Sequence, residues 1–400
     1  LGDGSKVQFT GLNATDTDGV IGITAKKQGI QSKIKNYERS QILTVNKSSL
    51  EGSGSSAGST RNDGLTYNGE AYGLRVQDDS ISLNVPDVSK VLAVYESLDS
   101  NAPTLDTITL TATASVGTNV VIGENVVGKT SNTIARVVTN NGSTPSSGGA
   151  NRLGVVYLNE KRFSKYEDVV FQESNITTTL QAINEGTTDG QYQNITNSFT
   201  LDKGQREQYY DFSRLNRNRT ASVPSKQLLV VYDFYSVPSN DTGDVFTVLS
   251  YDKNRYSKDI PLIGGSVRAT DTLDFRPRVS KFVGITTSPF DFNARSLAFT
   301  ETPKFILAAN ESTLLGYEYY LGRIDKIYLS EYGVLSVQKG KPARHPQSPK
   351  LITDSMELAT LTIPPYLYNP ASIRVNLTDN RRYTMRDIGK LEDRIGELEE

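Results

Sequence analysis

Residues 123–142 read GENVVGKTSNTIARVVTNNG, and the way they fold decides what class of protein this is. Gly123, Gly128, Lys129 and Thr130 satisfy the G-x-x-x-x-G-K-[ST] template of a phosphate-binding loop. That chemistry needs a helix beginning at Lys129, whose free N–H groups and positive end would meet the phosphates. The residues that follow do not make one. Ile134, Val137, Val138 and Thr139 are β-branched, and Asn140-Asn141-Gly142 ends the run as a turn. The stretch reads as strand, turn, strand. Gly123, Gly128, Lys129 and Thr130 are therefore taken as a chance match, and no nucleotide or other cofactor is expected.

Strand signals continue on both sides. Ser80–Pro86 (SISLNVP) alternates polar and apolar residues, and VSKVLAVY (88–95) and TITLTAT (107–113) repeat the style. SKQLLVVYDFY (225–235) and DVFTVLSY (244–251) flank a Pro-Ser-Asn-Asp-Thr-Gly turn and are expected to pair as a hairpin. A second hairpin is expected from residues 322–329 and 334–337. Helical signals are few: residues 32–40, a turn near 204–214, and the C-terminal segment. The fold class expected is mainly β, with several antiparallel sandwich or barrel domains and a C-terminal helix that can open a coiled coil.

Ser/Gly-rich stretches at 48–63 and 140–151 hold little that can pack. The second lies between two strand-like runs and reads as a long hairpin tip. The organisation expected is a β domain over 1–115, a small barrel-like module over 116–180 and a larger antiparallel domain over 181–345. An extended connector over 346–384 would then lead into the helix at 385–400. The opening Leu1-Gly2-Asp3-Gly4 and the unfinished helix at Glu400 are expected of a piece of a longer protein.

Composition narrows the function. Of 400 residues, 43 are Lys or Arg and 45 Asp or Glu, so no basic field draws the chain to nucleic acid. No apolar run reaches bilayer length, so no membrane insertion is expected. Cysteine is absent, which removes disulfides and thiolate metal sites. The single histidine, His345, lies in a Pro-rich loop without metal-ligand partners, and no Ser occupies a nucleophile-elbow context. Asp16-Thr17-Asp18-Gly19 opens like a calcium loop but lacks the later ligands. No catalytic residue and no metal site is assigned.

The remaining candidates are contact residues. In the C-terminal segment Ile388, Leu391, Ile395 and Leu398 are spaced 3, 4 and 3 apart, an a/d seam flanked by charges. A helix packed on the chain's own core gives the same pattern. Two other segments interleave aromatic and charged side chains: Tyr209, Tyr210, Phe212 and Arg214, then Phe275 and Arg276. Such mixtures occur at protein interfaces and in buried polar networks alike.

Several longer stretches carry a resemblance. NITNSFTLDKGQREQYYDFSRL (194–215), LLVVYDFY (228–235), KDIP (258–261), DTLDFRPRV (271–279), YLGRIDKIYL (320–329) and RRYTMRDIGKLEDRIGELE (381–399) resemble the large virion structural proteins of T4-like myophages, especially marine and cyanobacterial ones. GENVVGKTSNTIARVV with VVYLNEKRF (155–163) is similar to a small β module of such proteins. The resemblance spans roughly residues 120–400. It implies a virion location, a non-catalytic role in the contractile-tail baseplate, at the wedge or attached to it, and other baseplate or tail subunits as partners in a homo- or hetero-oligomer. Two alternatives stay open. One is a receptor-binding fibre or adhesin with a carbohydrate surface; the other is an NTPase acting through residues 123–130.

Overall fold

A computed structural model describes residues 29–52, 59–111, 119–140, 151–253, 260–265, 267–304, 314–367, 369–379 and 385–399. The calcium-like Asp16–Gly19 segment lies outside them. The first strands are β1 (Asn36–Val45), the short parallel pair β2 (Lys47–Ser48) and β3 (Thr66–Tyr67), β4 (Ser80–Pro86) and β5 (Val88–Ser97). Six strands then close a barrel: β6 (Asp106–Leu110), β7 (Asn125–Gly128), β8 (Ile134–Thr139), β9 (Arg152–Tyr157), β10 (Asp168–Phe171) and β11 (Thr177–Ile183). After it come β12 (Tyr192–Asn194), β13 (Phe199–Asp202), β14 (Phe212–Arg217) and β15 (Leu228–Ser236). The short pair β16 (Leu262–Ile263) and β17 (Val267–Arg268) precedes a last sheet of β18 (Arg323–Ser330), β19 (Leu335–Gln338), β20 (Ser355–Ile363) and β21 (Arg374–Leu377). The helix α1 (Met385–Glu399) ends the described chain. The molecule is mainly β and antiparallel, as its alternating patterns predict.

One sheet, in the order β1-β15-β5-β12, organises the centre. Its first face packs on a second sheet, β13-β14-β4, through Val88, Val94, Leu228, Val230 and Tyr232 against Ile81, Leu83, Val85 and Leu215. Its second face presents Ala93, Tyr95, Leu229 and Val231 to Val138 and Val156 of the barrel wall. β15 is thus covered on both sides, which is why its LLVVY stretch (228–232) is a continuous apolar run rather than an alternating one. Each fully buried side chain of this kind stabilises by about 1.5–3 kcal/mol. Inside the barrel the pleat alternates as it must: Ile108 and Leu110, Ala135 and Val137, Leu153 and Val155, Val169 and Phe171 all point inward.

The sequential domain plan needs correction. β6 belongs to the barrel, so the barrel begins before residue 115, and strands from both sides of it share the central sheet. The barrel is an insertion between β5 and β12. Residues 346–384 are not a plain connector either, since they supply β20 and β21 to the last sheet.

Two local expectations also change. Residues 225–235 and 244–251 do not pair; β15 is hydrogen-bonded by β1 and β5 on its two edges and has none left. Residues 244–251 instead bridge Phe246 to Asp274 and close a 3-10 turn at Val248–Ser250, capped by Thr247. Residues 36–40 are strand, not helix, because β1 pairs with β15 along its length, with a bulge between Glu38 and Gln41. There Ser40 adopts φ +55°. The β18–β19 hairpin and the β8–β9 hairpin form as expected. The tip of the latter, 141–150, lies outside the described residues.

Candidate functional site

The phosphate-loop look-alike is a β-turn whose donors are already used. Gly123 turns with φ +86°, β7 runs to Gly128, and a short turn leads into β8. The backbone N–H groups of Thr130 and Ser131 donate to Oε2 of Glu167 at 3.3 and 3.0 Å, and the Ser131 hydroxyl donates to its Oε1 at 2.9 Å. Glu167 is 5% exposed. The turn does cradle an anion, and that anion is the chain's own carboxylate. The Lys129 ammonium points outward, half exposed, 3.9 Å from Asp168. Asp233, on β15, is fully buried. It accepts from Ser40 N at 2.7 Å, Tyr37 Oη at 3.1 Å and Arg136 Nη1 at 3.2 Å, tying the central sheet to barrel strand β8.

The Tyr209–Arg214 and Phe275–Arg276 segments converge in the interior. Tyr210 and Phe212 are fully buried and Arg276 is 8% exposed, so these candidates serve a buried network rather than an outer surface. Tyr209, Phe275 and Arg214 are partly buried. The network centres on Lys35. Its Nζ donates to Asp87 Oδ2 at 2.7 Å, Tyr210 Oη at 3.0 Å and Tyr251 Oη at 2.9 Å. The same ammonium stands over the rings of Tyr210, Phe246 and Tyr251 at 4.5, 4.7 and 4.7 Å. Asp87 Oδ2 also accepts from Arg278 Nη1 at 3.0 Å, and its Oδ1 from Gln205 at 2.6 Å. Arg276 grips Asp274 with two parallel bonds of 2.9 and 2.7 Å, and Tyr210 Oη donates to the same carboxylate.

Burial pushes Lys35 down to about 8, against the attraction of Asp87. Burial also drives Tyr210 and Tyr251 well above the usual phenol value, helped by Asp274 and Asp87. For Asp274 burial acts upward, but the Arg276 bonds and charge and Lys35 hold it below the usual carboxylate range. Lys35 and Arg278 both meet Asp87, and Arg276 meets Asp274. Sequence reading missed Lys35, Asp87 and Tyr251. They lie far apart in the chain, and nothing near Lys35 marks it as interior.

Beyond this cluster lies an open cleft of about 720 Å³, flanked by Tyr317, Tyr319, Tyr320 and Tyr366 with Thr270 and Arg344. The helix α1 carries its seam outward: Ile388, Leu391, Ile395 and Leu398 are 48%, 44%, 56% and 84% exposed. Among the described residues, none buries this seam in a core. Among the described residues no group of three or more His, Cys, Asp or Glu is placed to hold a metal ion. No helix among them is long and apolar enough to cross a membrane.

Residues 286–400 match the model of a family described as a domain of unknown function, DUF4815. The matched part holds the last sheet and α1, and excludes the sandwich and the barrel. No curated protein and no solved structure matches the chain.

Proposed function

We propose that this chain is a non-catalytic structural subunit of a large assembly of the contractile phage-tail baseplate kind, at the wedge or attached to it. Its partners would be other tail subunits, and its place the virion. The observation that carries this reading is the exposed seam of α1. Four apolar side chains at heptad spacing face solvent, which costs free energy unless another helix covers them. The interior supports the same role. Its charges are consumed in holding segments together, as in Lys35–Asp87 and Arg276–Asp274, instead of being aimed into a cleft. Replacing Ile395 and Leu398 with Asp is expected to block incorporation into particles while the β domains stay folded. Normal assembly of that double variant defeats the proposal.

A receptor-binding role has one observation in its favour, the tyrosine-flanked cleft, since exposed aromatic faces with nearby polar groups suit sugar rings. Glycan-array binding by the full chain, lost on Tyr319→Ala and Tyr320→Ala, would support that role over the first.

A further inference from the structure

The last sheet has an apolar face whose outer strands, among the described residues, stay largely exposed, while Ala359 at its centre is buried. Register places its side chains in rows, because directly opposed residues of antiparallel strands share a face. Val337, Ile327, Ala359 and Leu377 form one row across all four strands. Leu335, Leu329 and Met356 form a second, and Leu361 and Val375 lie in a third. Of these, Leu335 is 65% exposed, Val337 56%, Met356 43%, Val375 53% and Leu377 81%. The opposite face carries Lys326, Glu357, Thr360, Thr362 and Asn376 beside Ile324 and a fully buried Tyr328, with Lys326 and Glu357 ion-paired at 2.8 Å. The more apolar of the two faces is thus also the one with most of its large side chains exposed. Monomeric proteins rarely leave a contiguous apolar surface of this sort uncovered.

We infer that a second copy of this chain covers it, and that sheet face and helix seam form one self-association surface. Charge is the first reason. The face has a single pair of charged residues, Arg323 and Asp325, which neutralise each other at 3.1 Å, so two identical faces meet without repulsion. The helix is the second. Ile388 and Ile395 occupy a positions with Leu391 and Leu398 at d, the arrangement that favours two parallel strands of like sequence. In that register Asp387 at g meets Glu392 at e of the partner helix, a repelling pair, so the helices alone make a weak dimer and need further contact area. Linkage is the third. Seven residues separate Leu377 from Met385, a reach of at most about 29 Å, so pairing the helices brings the two sheets together at high effective concentration.

This inference rests on the reading of the chain as an assembly subunit and names one of its partners. The test is the mass of the full chain across concentration, measured by sedimentation equilibrium in the analytical ultracentrifuge. The expected result is a monomer–dimer equilibrium that Val337→Asp with Leu377→Asp weakens at least about tenfold. Both sites are exposed in the monomer, and an unchanged circular-dichroism melt establishes that this variant folds. Because the chain has no cysteine, Leu377→Cys gives a second readout. Its alkylation is expected to slow as the dimer forms. An unchanged dimer in the double Asp variant, or alkylation independent of concentration, overturns the sheet face as the interface. A wild-type chain that stays monomeric at about 100 μM overturns self-association altogether. If that chain still enters particles, the assembly role survives and only the second copy is refuted.

Discussion

The ammonium of Lys35 lies 2.7 Å from the Asp87 carboxylate, 52 residues along the chain, and neither side chain reaches solvent. Asp87 sits at the β4–β5 turn with φ +64°, and it also receives Arg278 from 191 residues away. One carboxylate thus ties the segment before β1, the sandwich and the segment around Arg278 into a single unit. Removing it leaves two buried cations facing each other.

Asp87→Asn keeps a residue type that tolerates the left-handed backbone and deletes only the charge. It is expected to cost about 3–5 kcal/mol, the penalty for breaking a buried ion pair from one side. Asp87→Ala should cost about 1–3 kcal/mol more, because alanine adds backbone strain. Urea unfolding of the two variants measures both. Equal stability of wild type and Asp87→Asn contradicts the role given to this carboxylate.

Lys35 gives the fold a pH dependence of defined sign. Its pKa falls from 10.5 to about 8 on folding, burial being the cause. Below pH 8 both states hold the proton and the cost of burying the charge is felt in full. Between pH 8 and 10.5 the unfolded state still holds a proton that the folded state has released, so this contribution to stability rises with pH. Its full span is roughly 3 kcal/mol. The stability of wild type relative to Lys35→Met should therefore climb across that window, and a flat difference refutes it.

Glu167 fills the turn that mimics a phosphate-binding loop. Glu167→Ala leaves the Ser131 N–H and hydroxyl without their acceptor and is expected to destabilise the barrel by about 1–3 kcal/mol. Lys129→Ala, at a half-exposed site, should change stability by no more than about 0.5 kcal/mol. Isothermal titration of the full chain with ATP is expected to give no saturable binding. Saturable binding abolished by Lys129→Ala would restore the nucleotide reading.

Asp233 and Arg136 join sheet to barrel at 3.2 Å. Arg136→Met removes a charge that Asp233 meets, leaving Ser40 N and Tyr37 Oη as its nearest donors. Hydrogen exchange at Val137 and Val138 should quicken by about tenfold, the effect of roughly 1.4 kcal/mol, while the strand interior of β4 and β14 is unaffected. Uniform quickening across the chain would mean that barrel and sandwich do not separate at this contact.

The sequence by itself determined the local periods. Alternation in SISLNVP, the β-branched runs on either side of residues 140–151 and the heptad spacing from Ile388 to Leu398 are set by backbone geometry within a few residues, so β4, the β8–β9 hairpin and α1 follow from them. The strand after Lys129 was legible for the same reason, and it alone argued against a phosphate-binding helix. What only the tertiary structure decided was which strand pairs with which, and which charges are interior. LLVVYDFY announces a buried strand, but not that β1 and β5 flank it in place of the nearer residues 244–251. Tyr210 and Arg276 look the same in sequence whether they face a partner or a buried lysine. Burial of Lys35 depends on Asp87, Tyr251 and Arg278 arriving from distant segments, and that long-range cancellation of charge leaves no mark in any local pattern.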